Sequence, residues 1–597
     1  MHTVVRSSIV TCLAGTAMLL THCTSSDAGP FAGDTADSGP VVTGDGAVPD
    51  GSSSEPIRDC AKHCSEDLSQ VLDCHDAVVE TCAGSTGCGG GACVPACEAS
   101  KANFSNVGCE FVVPRPVTLE PNTCHALIVS NAWRTPAKID VVFDGQKLPF
   151  EGHAVSAEDG APIANGTIAP GQIAIVVLAG RNCGPAAMID EPSVLRRVAG
   201  RNESGRTHAF VITADVPVQI RDVDALGDRE VASKSSALLA ATTTWDRDYV
   251  VAMPTPLEGE YAGGVVQIVA REDSVVELRP REDVVGAPDL LPVKASQFRS
   301  YRLGRGEVLQ FVQDGDLTGS FIHANTPVGV FAGAANFMVK SGWEAAHVQL
   351  SPTRSLGDRY VGVRHRDRYD GKVESARWRI VGVVGGTTLT YSPAAPLNAP
   401  TKLEAGEFVE FEATEPFTVS SQDAEHAFAM YAFMTSPVPY MAPGDDPSFG
   451  DLRGDPEFTP VIPVVQYMKR YRFYTDTFFP ETNVVIVRRR GSGGFADVDL
   501  DCAGKLTGWS PVGTDGDLEL TRIDLSRGNY EPQGNCKNGV HEMRSDAPFT
   551  ATVWGWGGKA TGGGELPGTF TRGSSYAFPV GAGFRPVNTV ELPGGIR

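Results

Sequence analysis

The stretch Arg247-Asp-Tyr249-Val-Val251 returns twice later in the chain, as Asp358-Arg-Tyr360-Val-Gly362 and as Lys469-Arg-Tyr471-Arg-Phe473. The three tyrosines are spaced 111 residues apart. Repetition at a fixed period indicates tandem units of similar structure. A related aromatic stretch begins at Phe111, and we expect it to open an earlier unit. Another surrounds Tyr576 near the end of the chain, and we expect that strand to pair back and close the array.

Three further patterns follow each opening stretch in the same order. The first is an apolar hairpin strand, at Ala126–Val129, Val265–Val269, Trp378–Val381 and Val484–Val487. The second is a turn, at Gly171-Gln172, Gly306-Glu307, Gly406-Glu407 and Gly528-Asn529. The third is a closing segment that leads into an apolar strand, at Ala214–Pro217, Ala324–Pro327, Gln422–Glu425 and Ser545–Pro548. Together they predict four β units, at residues 110–245, 246–356, 357–467 and 468–597, the last with a C-terminal closing strand.

The residues between these markers alternate between apolar and polar, as in Gly264–Ala270 and Phe549–Trp554. Because successive side chains of a strand point to opposite faces, the alternation predicts half-buried strands. The 66 glycines and 41 prolines supply the turns that many short strands need. Each unit is long enough for a sandwich of roughly seven strands. We therefore predict an all-β fold, a tandem array of about four β-sandwich-like repeats, with a propeller-like closed array as the alternative.

The N-terminal residues have the features of an export and tethering segment. Ile9–Leu20 is an apolar run too short to span a bilayer, which is typical of a signal peptide over residues 1–22. Leu20-Thr-His-Cys23 resembles the lipobox of bacterial lipoproteins. That resemblance implies lipidation of Cys23 and attachment to the outer membrane, and simple secretion is the alternative. Residues 23–57 are polar and acidic, without Lys or Arg, and predict a disordered acidic tether.

Residues 58–109 form a cysteine-rich module. In an exported chain its eight cysteines predict a disulfide framework, in more possible pairings than the sequence can decide. The apolar spacing predicts a mostly helical module, with one helix from Cys60 to Val78 and a second near Cys97. A zinc site using His63 or His75 is the alternative. The cysteines are Cys60, Cys64, Cys74, Cys82, Cys88, Cys93, Cys97 and Cys109.

Four more cysteines lie among the predicted strands. The economical pairs are Cys124 with Cys183 and Cys502 with Cys536, each joining neighbouring strands or loops. A bond between Cys109 and Cys124 is the alternative for the first pair.

Two stretches carry a family likeness. Asp316-Leu-Thr-Gly-Ser320 followed by Asn325–Gly333, and Ala346–Pro352 followed by Leu356–Val361, resemble segments of the IgG Fc-binding protein N-terminal domain family. The resemblance implies an extracellular β-rich binding or adhesive module of the kind found in secreted and bacterial surface proteins. It does not imply that this chain binds immunoglobulin. The chain departs from the family pattern at 334–346, which lacks the cysteines that relatives often carry there.

Charge and motifs exclude several classes of function. A net charge of −22 argues against nucleic-acid binding, since neutralising phosphates requires clustered Lys and Arg. The common motifs of hydrolases, zinc proteases and phosphate-binding loops are absent from the sequence. We expect no cofactor. The acidic loop from Gly444 to Asp455 is a weak candidate for Ca²⁺, whereas Asp497–Asp501 lacks the glycine and glutamate of a calcium loop and predicts a strand.

Histidines and basic runs offer no clear site. His347 lies in the family-like segment, and we expect a structural role at a strand edge. Arg488–Arg490 and Arg364–Arg368 predict solvated strand ends more than a patch for anionic glycans. The preferred hypothesis is a non-enzymatic cell-surface binding or adhesion lipoprotein that recognises an extracellular protein or glycan through loops. A secreted hydrolase or carbohydrate-active protein that uses a pair of carboxylates is the alternative.

Overall fold

A computed structural model describes residues 61–118, 123–180, 183, 203–226, 234–259, 263–441, 451–558, 571 and 573–592. The chain divides into two compact units, Met1–Asp59 and Cys60–Arg597, and all described residues belong to the second. The predicted signal peptide, the lipidation residue Cys23, the acidic tether and Cys60 lie outside the described residues.

The cysteine-rich module is built from short hairpins and one helix. Its elements are β1 His63–Cys64, β2 Gln70–Leu72, β3 Val78–Thr81, β4 Thr86–Gly89, β5 Ala92–Pro95 and α1 Ala96–Asn103. The second predicted helix forms, as α1, directly after Pro95. The first predicted helix does not, because Leu68 and Asp76 adopt left-handed backbone conformations that reverse the chain between strands. Helical spacing of apolar residues was misleading here, since disulfides substitute for a large core in so small a module.

Unit 1 of the β region follows the module directly. Its strands are β6 Val107–Val113, β7 His125–Ser130, β8 Ala137–Phe143, β9 Gln146–Lys147, β10 Ala154–Ser156, β11 Thr167–Ile168, β12 Ile173–Ala179, β13 Gly205–His208, β14 Phe210–Asp224 and β15 Ser235–Leu238. One of these strands serves the next unit, since β13 pairs with a strand of unit 2 and extends that sheet.

Units 2 and 3 are also built from strands. Unit 2 contains β16 Asp246–Val250, β17 Gly264–Ala270, β18 Ser274–Arg279, β19 Arg299–Leu303, β20 Glu307–Gln313, β21 Phe321–Val339 and β22 Gly342–Gln349. Unit 3 contains β23 Arg359–Gly362, β24 Ala376–Gly382, β25 Thr387–Thr388, β26 Thr390–Ser392, β27 Lys402–Leu403, β28 Phe408–Ala413, β29 Phe417–Ser420, β30 Phe428–Met434 and β31 Glu457–Pro460.

Unit 4 ends the array. It contains β32 Met468–Tyr474, β33 Glu481–Arg489, β34 Val498–Leu500, β35 Gly504–Lys505, β36 Ser510–Pro511, β37 Leu518–Arg527, β38 Glu531–Pro532, β39 Val540–Trp556 and β40 Ser575–Pro579. Short 3-10 turns lie at Ala164–Gly166, Thr242–Thr244, Thr353–Ser355, Ala424–His426, Val438–Tyr440 and Val464–Gln466. The chain is therefore almost entirely β, as the alternation predicted.

A long strand joins the two layers of each unit. The first half of β21 pairs with β16 and β18, and its second half pairs with β17 and β22. In units 1 and 4 the long strands are β14 and β39, and in unit 3 the 3-10 turn Ala424–His426 divides the long strand into β29 and β30.

The closing prolines lie inside these long strands and not at their beginnings. Pro217, Pro327 and Pro548 each sit where the register of the long strand against the opening strand shifts. Such a shift leaves backbone groups outside the ladder, so a residue without an N–H is tolerated there.

The repeated tyrosines occupy equivalent places. The hydroxyl of Tyr249 donates to the carbonyl of Val328 at 2.6 Å and accepts from the backbone N–H of Asp246 at 3.2 Å. Tyr360 makes the same two bonds with Phe428 and Gly357, and Tyr471 makes them with Phe549 and Met468. Burial raises the pKa of all three hydroxyls. Each tyrosine thus ties its opening strand to the segment where the long strand changes layer.

The strand around Tyr576 is not a fifth opening strand. It forms β40, which pairs with β39 of its own unit. Backbone bonds from Leu239, Leu350, Val461 and Val580 to the long strand of each unit show that β40 matches β15, β22 and β31. The strand therefore pairs back, as expected, and it does so onto β39 of its own unit.

Contacts between units run from 1 to 4 and return to 1. The last strands of the units contact one another in sequence, β15 with β22, β22 with β31, β31 with β40 and β40 with β15. The amide of Gln219 in unit 1 also donates to the carbonyl of Val580 in unit 4 at 2.8 Å. The units are two-layered sandwiches, so the single-sheet blades of a propeller are not what is observed here.

The hairpin strands β7, β17, β24 and β33 are buried on both faces, unlike the half-buried strands expected. Their outer side chains at one matching position are Ile128, Gln267, Arg379 and Val485, all at most 4% exposed. Ile128 clusters with Tyr474 of unit 4, and the others meet the unit that precedes them. Neighbouring units cover the faces that alternation assigned to solvent.

Disulfides lie near the N-terminus and at two other places. The bonds described are Cys64–Cys88, Cys82–Cys93, Cys97–Cys109, Cys124–Cys183 and Cys502–Cys536. Cys74 is also disulfide-bonded. Because Cys109 pairs with Cys97, the alternative bond from Cys109 to Cys124 does not form. The sulfurs proposed for a zinc site are engaged in these bonds.

Candidate binding cleft and groove

The family-like segment Asp316–Ser320 lies at the joint between units 2 and 3. Arg379 of unit 3 is fully buried and bonds Asp316 at 3.1 Å and the hydroxyl of Thr318 at 2.8 Å. Its guanidinium also pairs with Glu410 at 2.7 Å. A Cβ on Gly319 would overlap the carbonyl oxygen of Gly406, so this backbone approach requires glycine. The segment is therefore a packing element that holds two units together.

His347 is buried in the joint between units 1 and 2, on β22, which pairs only with β21 among the described strands, in agreement with the structural role expected at a strand edge. Asp222 accepts from His125 at 2.6 Å and from His347 at 3.1 Å, and His347 contacts Gln267 at 3.2 Å. Burial would raise the pKa of Asp222, but the His125 imidazole and then His347 lower it to about 2. All four side chains are at most 3% exposed, so this network stabilises the joint and has no room for a substrate.

A buried carboxyl pair lies where units 3 and 4 meet. Burial raises the pKa of Asp455 and of Glu457 well above their ordinary values, and the charge of Asp455 raises that of Glu457 further. Ser575 of β40 bonds the backbone carbonyl of Asp455 at 2.7 Å. Neither carboxyl lines the two surface cavities described below.

The arginines of the two predicted basic runs are partly buried in ion pairs and partly exposed. Arg366 and Arg368 are not solvated: Arg366 bonds Asp524 at 2.7 Å, and the fully buried Arg368 pairs with Glu374 at 2.9 Å. Arg488 bonds Glu519 at 2.6 Å, and Arg489 and Arg490 are exposed. Most of these arginines therefore serve joints and sheet faces.

The calcium candidates are only partly described. Residues 444–450 of the acidic loop lie outside the described residues, and Asp451 is paired with Arg453 at 2.7 Å. Val498 and Leu500 of β34 are buried and Asp501 is exposed, as expected for a strand. Within the described ranges, the one group of three metal-ligating residues is Asp501, Cys502 and His541. The sulfur of Cys502 is bonded to Cys536, so this group lacks a thiolate.

A cleft opens where the cysteine-rich module, unit 1 and unit 4 meet. Leu68, Trp133 and Met468 form apolar walls around a cavity volume of about 120 Å³. Trp133 is 6% exposed, and its indole N–H has no hydrogen-bond partner among the described residues. Arg470 and Arg585 line the cleft together with Glu66 and Asp67, and Arg470 lies 3.9 Å from Asp67, so its charged residues have both signs. A donor beside an apolar wall can accept an amphipathic group with an acceptor atom.

A charged groove of about 380 Å³ lies next to the cleft on unit 4. Arg472 lines both cavities and therefore connects them. Asp501 contacts His541 at 3.1 Å, and Arg472 contacts Glu542 at 3.4 Å. The groove also includes Arg544, so it presents both signs of charge on one surface. We refer to the cleft and the groove together as the junction surface.

Sequence reasoning did not identify the junction surface. Arg470 and Arg472 flank Tyr471 in the opening strand, and alternation alone places them on the face opposite the tyrosine. Nothing in the sequence showed that the module and the end of the chain meet this face. No short motif marks Trp133 or Met468 either.

Comparison with known proteins gives the family. Residues 235–555 match the family model described as IgGFc binding protein. The chain belongs to this family. The match to the IgGFc-binding family begins in β15 and ends in β39, and therefore contains both family-like segments and the joint that Asp316–Ser320 builds between units 2 and 3. Asp222 and His125, which contact each other and bind His347 through Asp222, lie before the matched residues.

The IgGFc-binding family match does not extend to the module or to most of unit 1. No curated protein matches the chain. Among the residues that the structure describes, no helix combines the length and the apolar character that crossing a membrane requires.

Proposed function

We propose that this chain is a non-enzymatic, exported binding protein that holds an extracellular protein partner at the junction surface. The observation that carries the proposal is the cleft beside Trp133, continuous through Arg472 with a charged groove. Membership of a family named for binding IgG Fc supports a binding role. The five described disulfide bonds support an oxidising, extracellular environment.

The small volume of the cleft and the mixed charge of the groove favour a protein over a small molecule. A cavity of about 120 Å³ is smaller than the roughly 300–1,000 Å³ of typical small-molecule pockets, but it can take one protruding side chain. The adjoining groove has charges of both signs, which suits the polar rim of a protein interface. An anchoring residue in the cleft and charge pairing along the groove would act together.

Attachment to the outer membrane through lipid on Cys23 is part of the proposal. The lipobox-like Leu20–Cys23 and the acidic tether at residues 23–57 support it. The direct test is replacement of Cys23 by serine, followed by mass analysis and by membrane fractionation. Lipid on the natural chain and a soluble, unlipidated variant would support anchoring, whereas equal fractionation would contradict it.

The binding test is capture of partners from the native envelope and extracellular matrix, using the exported chain with all its disulfides. Replacing Met468 by glutamate and Arg470 by glutamate should abolish specific capture, because both changes alter the cleft and its rim. Lys294→Glu is the matched control, since Lys294 is exposed in unit 2 and its ion pair in the described part of the chain is with Asp283. A partner retained equally by all variants would contradict binding at the junction surface, and capture of glycan alone would contradict a protein ligand.

A further inference from the structure

Each hairpin strand pairs on one side with a strand that precedes the long strand, namely β12, β20, β28 and β37, and in three of the four units this strand has an outer neighbour. In unit 1, β12 pairs with β10; in unit 2, β20 pairs with β13; in unit 4, β37 pairs with β36 and β38. In unit 3 the matching strand is β28, which ends its sheet and pairs only with β24 in the described part of the chain. The repeat therefore has one uncovered edge.

The connections between strands explain why β28 lacks an outer neighbour. Unit 1 forms β10, and unit 4 forms β36, from the long connections that precede β12 and β37. Unit 2 receives β13 from unit 1. In unit 3 the chain between β24 and β28 forms β26, which pairs with β29, and the two-residue pair of β25 with β27, and none of these strands pairs with β28. No described segment of unit 2 or unit 3 supplies a strand for this edge.

The backbone of β28 offers a regular set of hydrogen-bonding groups. The N–H of Gly382 donates to the carbonyl of Glu407 at 2.9 Å, which marks a hydrogen-bonded pair in the ladder with β24. Alternation along an antiparallel strand then directs the backbone groups of Phe408, Glu410 and Glu412 away from β24. Among the described residues, these outward groups have no backbone partner. In unit 2 the matching region, around Gln310, is covered by β13.

The edge is acidic along its whole length. Five glutamates lie between residues 404 and 415, at Glu404, Glu407, Glu410, Glu412 and Glu415. Glu410 pairs with Arg379 and Arg377, and Glu412 pairs with Lys340. The other three are exposed and form no ion pair within the part of the chain that the structure describes. A segment lying along β28 would therefore gain from Lys or Arg side chains.

We propose that the edge of β28 binds an extended, basic segment of a partner protein, which adds as a strand to the sheet of unit 3. Main-chain hydrogen bonds would give affinity and the glutamates would select the sequence. A second copy of this chain would bring the same glutamates against themselves, which disfavours self-pairing. The tether at residues 23–57 contains no Lys or Arg and is a poor occupant. This edge is separate from the junction surface and does not depend on it.

The test uses the full exported chain and a labelled ten-residue peptide that alternates valine and lysine. The peptide should bind by fluorescence anisotropy and should protect the amides of Phe408, Glu410 and Glu412 from hydrogen exchange. The same peptide with alternate amides N-methylated keeps its charge but loses one hydrogen-bonding edge. It should bind about tenfold more weakly or worse, whereas equal binding would overturn strand addition.

A matched pair of variants tests the edge itself. Glu412→Pro removes an outward N–H without removing a bond to β24, while Glu412→Ala removes the same side chain and keeps the N–H. Peptide affinity should fall about tenfold between the alanine and the proline variants. Equal affinity of the two, with native thermal melting of both, would overturn the proposal. The proposal would also be overturned if binding were lost only on replacing Glu404, Glu407 and Glu415 by glutamine, because binding would then depend on charge alone and not on strand pairing.

Discussion

The joints between units use different chemistry at one matching position. Between units 2 and 3 the position is Arg379, a buried cation held by Asp316 and Glu410. Between units 3 and 4 it is Val485, which lies in an apolar cluster with Trp378. Both side chains are at most 4% exposed. The repeat determines where neighbouring units touch. The residue at that position determines how much stability is lost when the contact is removed.

The largest effect should come from removing the cation at the joint. Arg379→Ala should reduce the free energy of unfolding by about 3–5 kcal/mol, because the buried Asp316 would lose its cation, while the partly exposed Glu410 would keep Arg377. Val485→Ala should cost less, about 1–3 kcal/mol, since it removes only apolar contact. Chemical denaturation of both variants measures the difference. Equal losses would show that the two joints do not differ in the way described.

The second effect concerns the joint between units 1 and 2. The lowered pKa of Asp222 means that its ionised form stabilises the fold. This stabilisation should be complete above its ordinary pKa of 3.8 and should disappear as the pH falls toward about 2. Asp222→Asn should cost about 2 kcal/mol at pH 7. The cost should shrink steadily below pH 4 in urea titrations, and a cost that does not change with pH would contradict the role of charge.

A smaller effect is expected inside a unit. Tyr360→Phe removes the bond to the carbonyl of Phe428 and leaves the N–H of Gly357 without its acceptor, at a cost of about 1–2 kcal/mol. Tyr249→Phe should have a similar cost, because the two tyrosines hold equivalent places. Thermal melting compares them. Unequal costs beyond about 1 kcal/mol would mean that the units tolerate the loss differently.

The smallest expected effect on stability is a gain, unlike the losses described above. Because burial raises the pKa of Glu457, its protonated form fits the fold, and the stability it contributes should be lost as the pH rises from its ordinary pKa toward the raised one. Glu457→Gln should therefore change the melting temperature little near pH 4 and increase it at pH 8. Melting curves of both proteins across this range provide the test, and a variant less stable at pH 8 would contradict it.

Much of the fold followed from local patterns. The tyrosines of units 2 to 4 and the hairpin strands of all four units occupy matching places, because turn residues and strand alternation act over a few residues. The Gly–Glu or Gly–Gln turn leads into the matching strand in units 1, 2 and 3, but the turn predicted for unit 4 at Gly528-Asn529 was wrong, since it follows β37. The error at Cys60–Val78 arose where disulfides, which have no periodic signature, shape the chain. The strand at Tyr576 closes unit 4 as expected, but its pairing with β39 is long-range and no local pattern specifies it.

The candidate site depended on the fold far more than on motifs. Asp316–Ser320 and His347 stood out in the sequence, yet the structure places both in joints. Trp133, Met468 and Arg472 had no distinguishing pattern. They come from separate parts of the chain and meet only because the end of the array returns to its beginning.

The amino-acid sequence by itself determined the class of structure: four β units, their strands and turns, the cysteine-rich module and the family likeness. These are local properties, set by alternation, backbone preferences and residue type. The tertiary structure alone decided that neighbouring units bury both faces of the hairpin strands, and that β28 keeps an uncovered edge. It alone decided that unit 4 contacts unit 1 and the module to form a cleft. The reason is physical, since burial and pairing across hundreds of residues depend on how whole surfaces fit together and leave no short pattern in the chain.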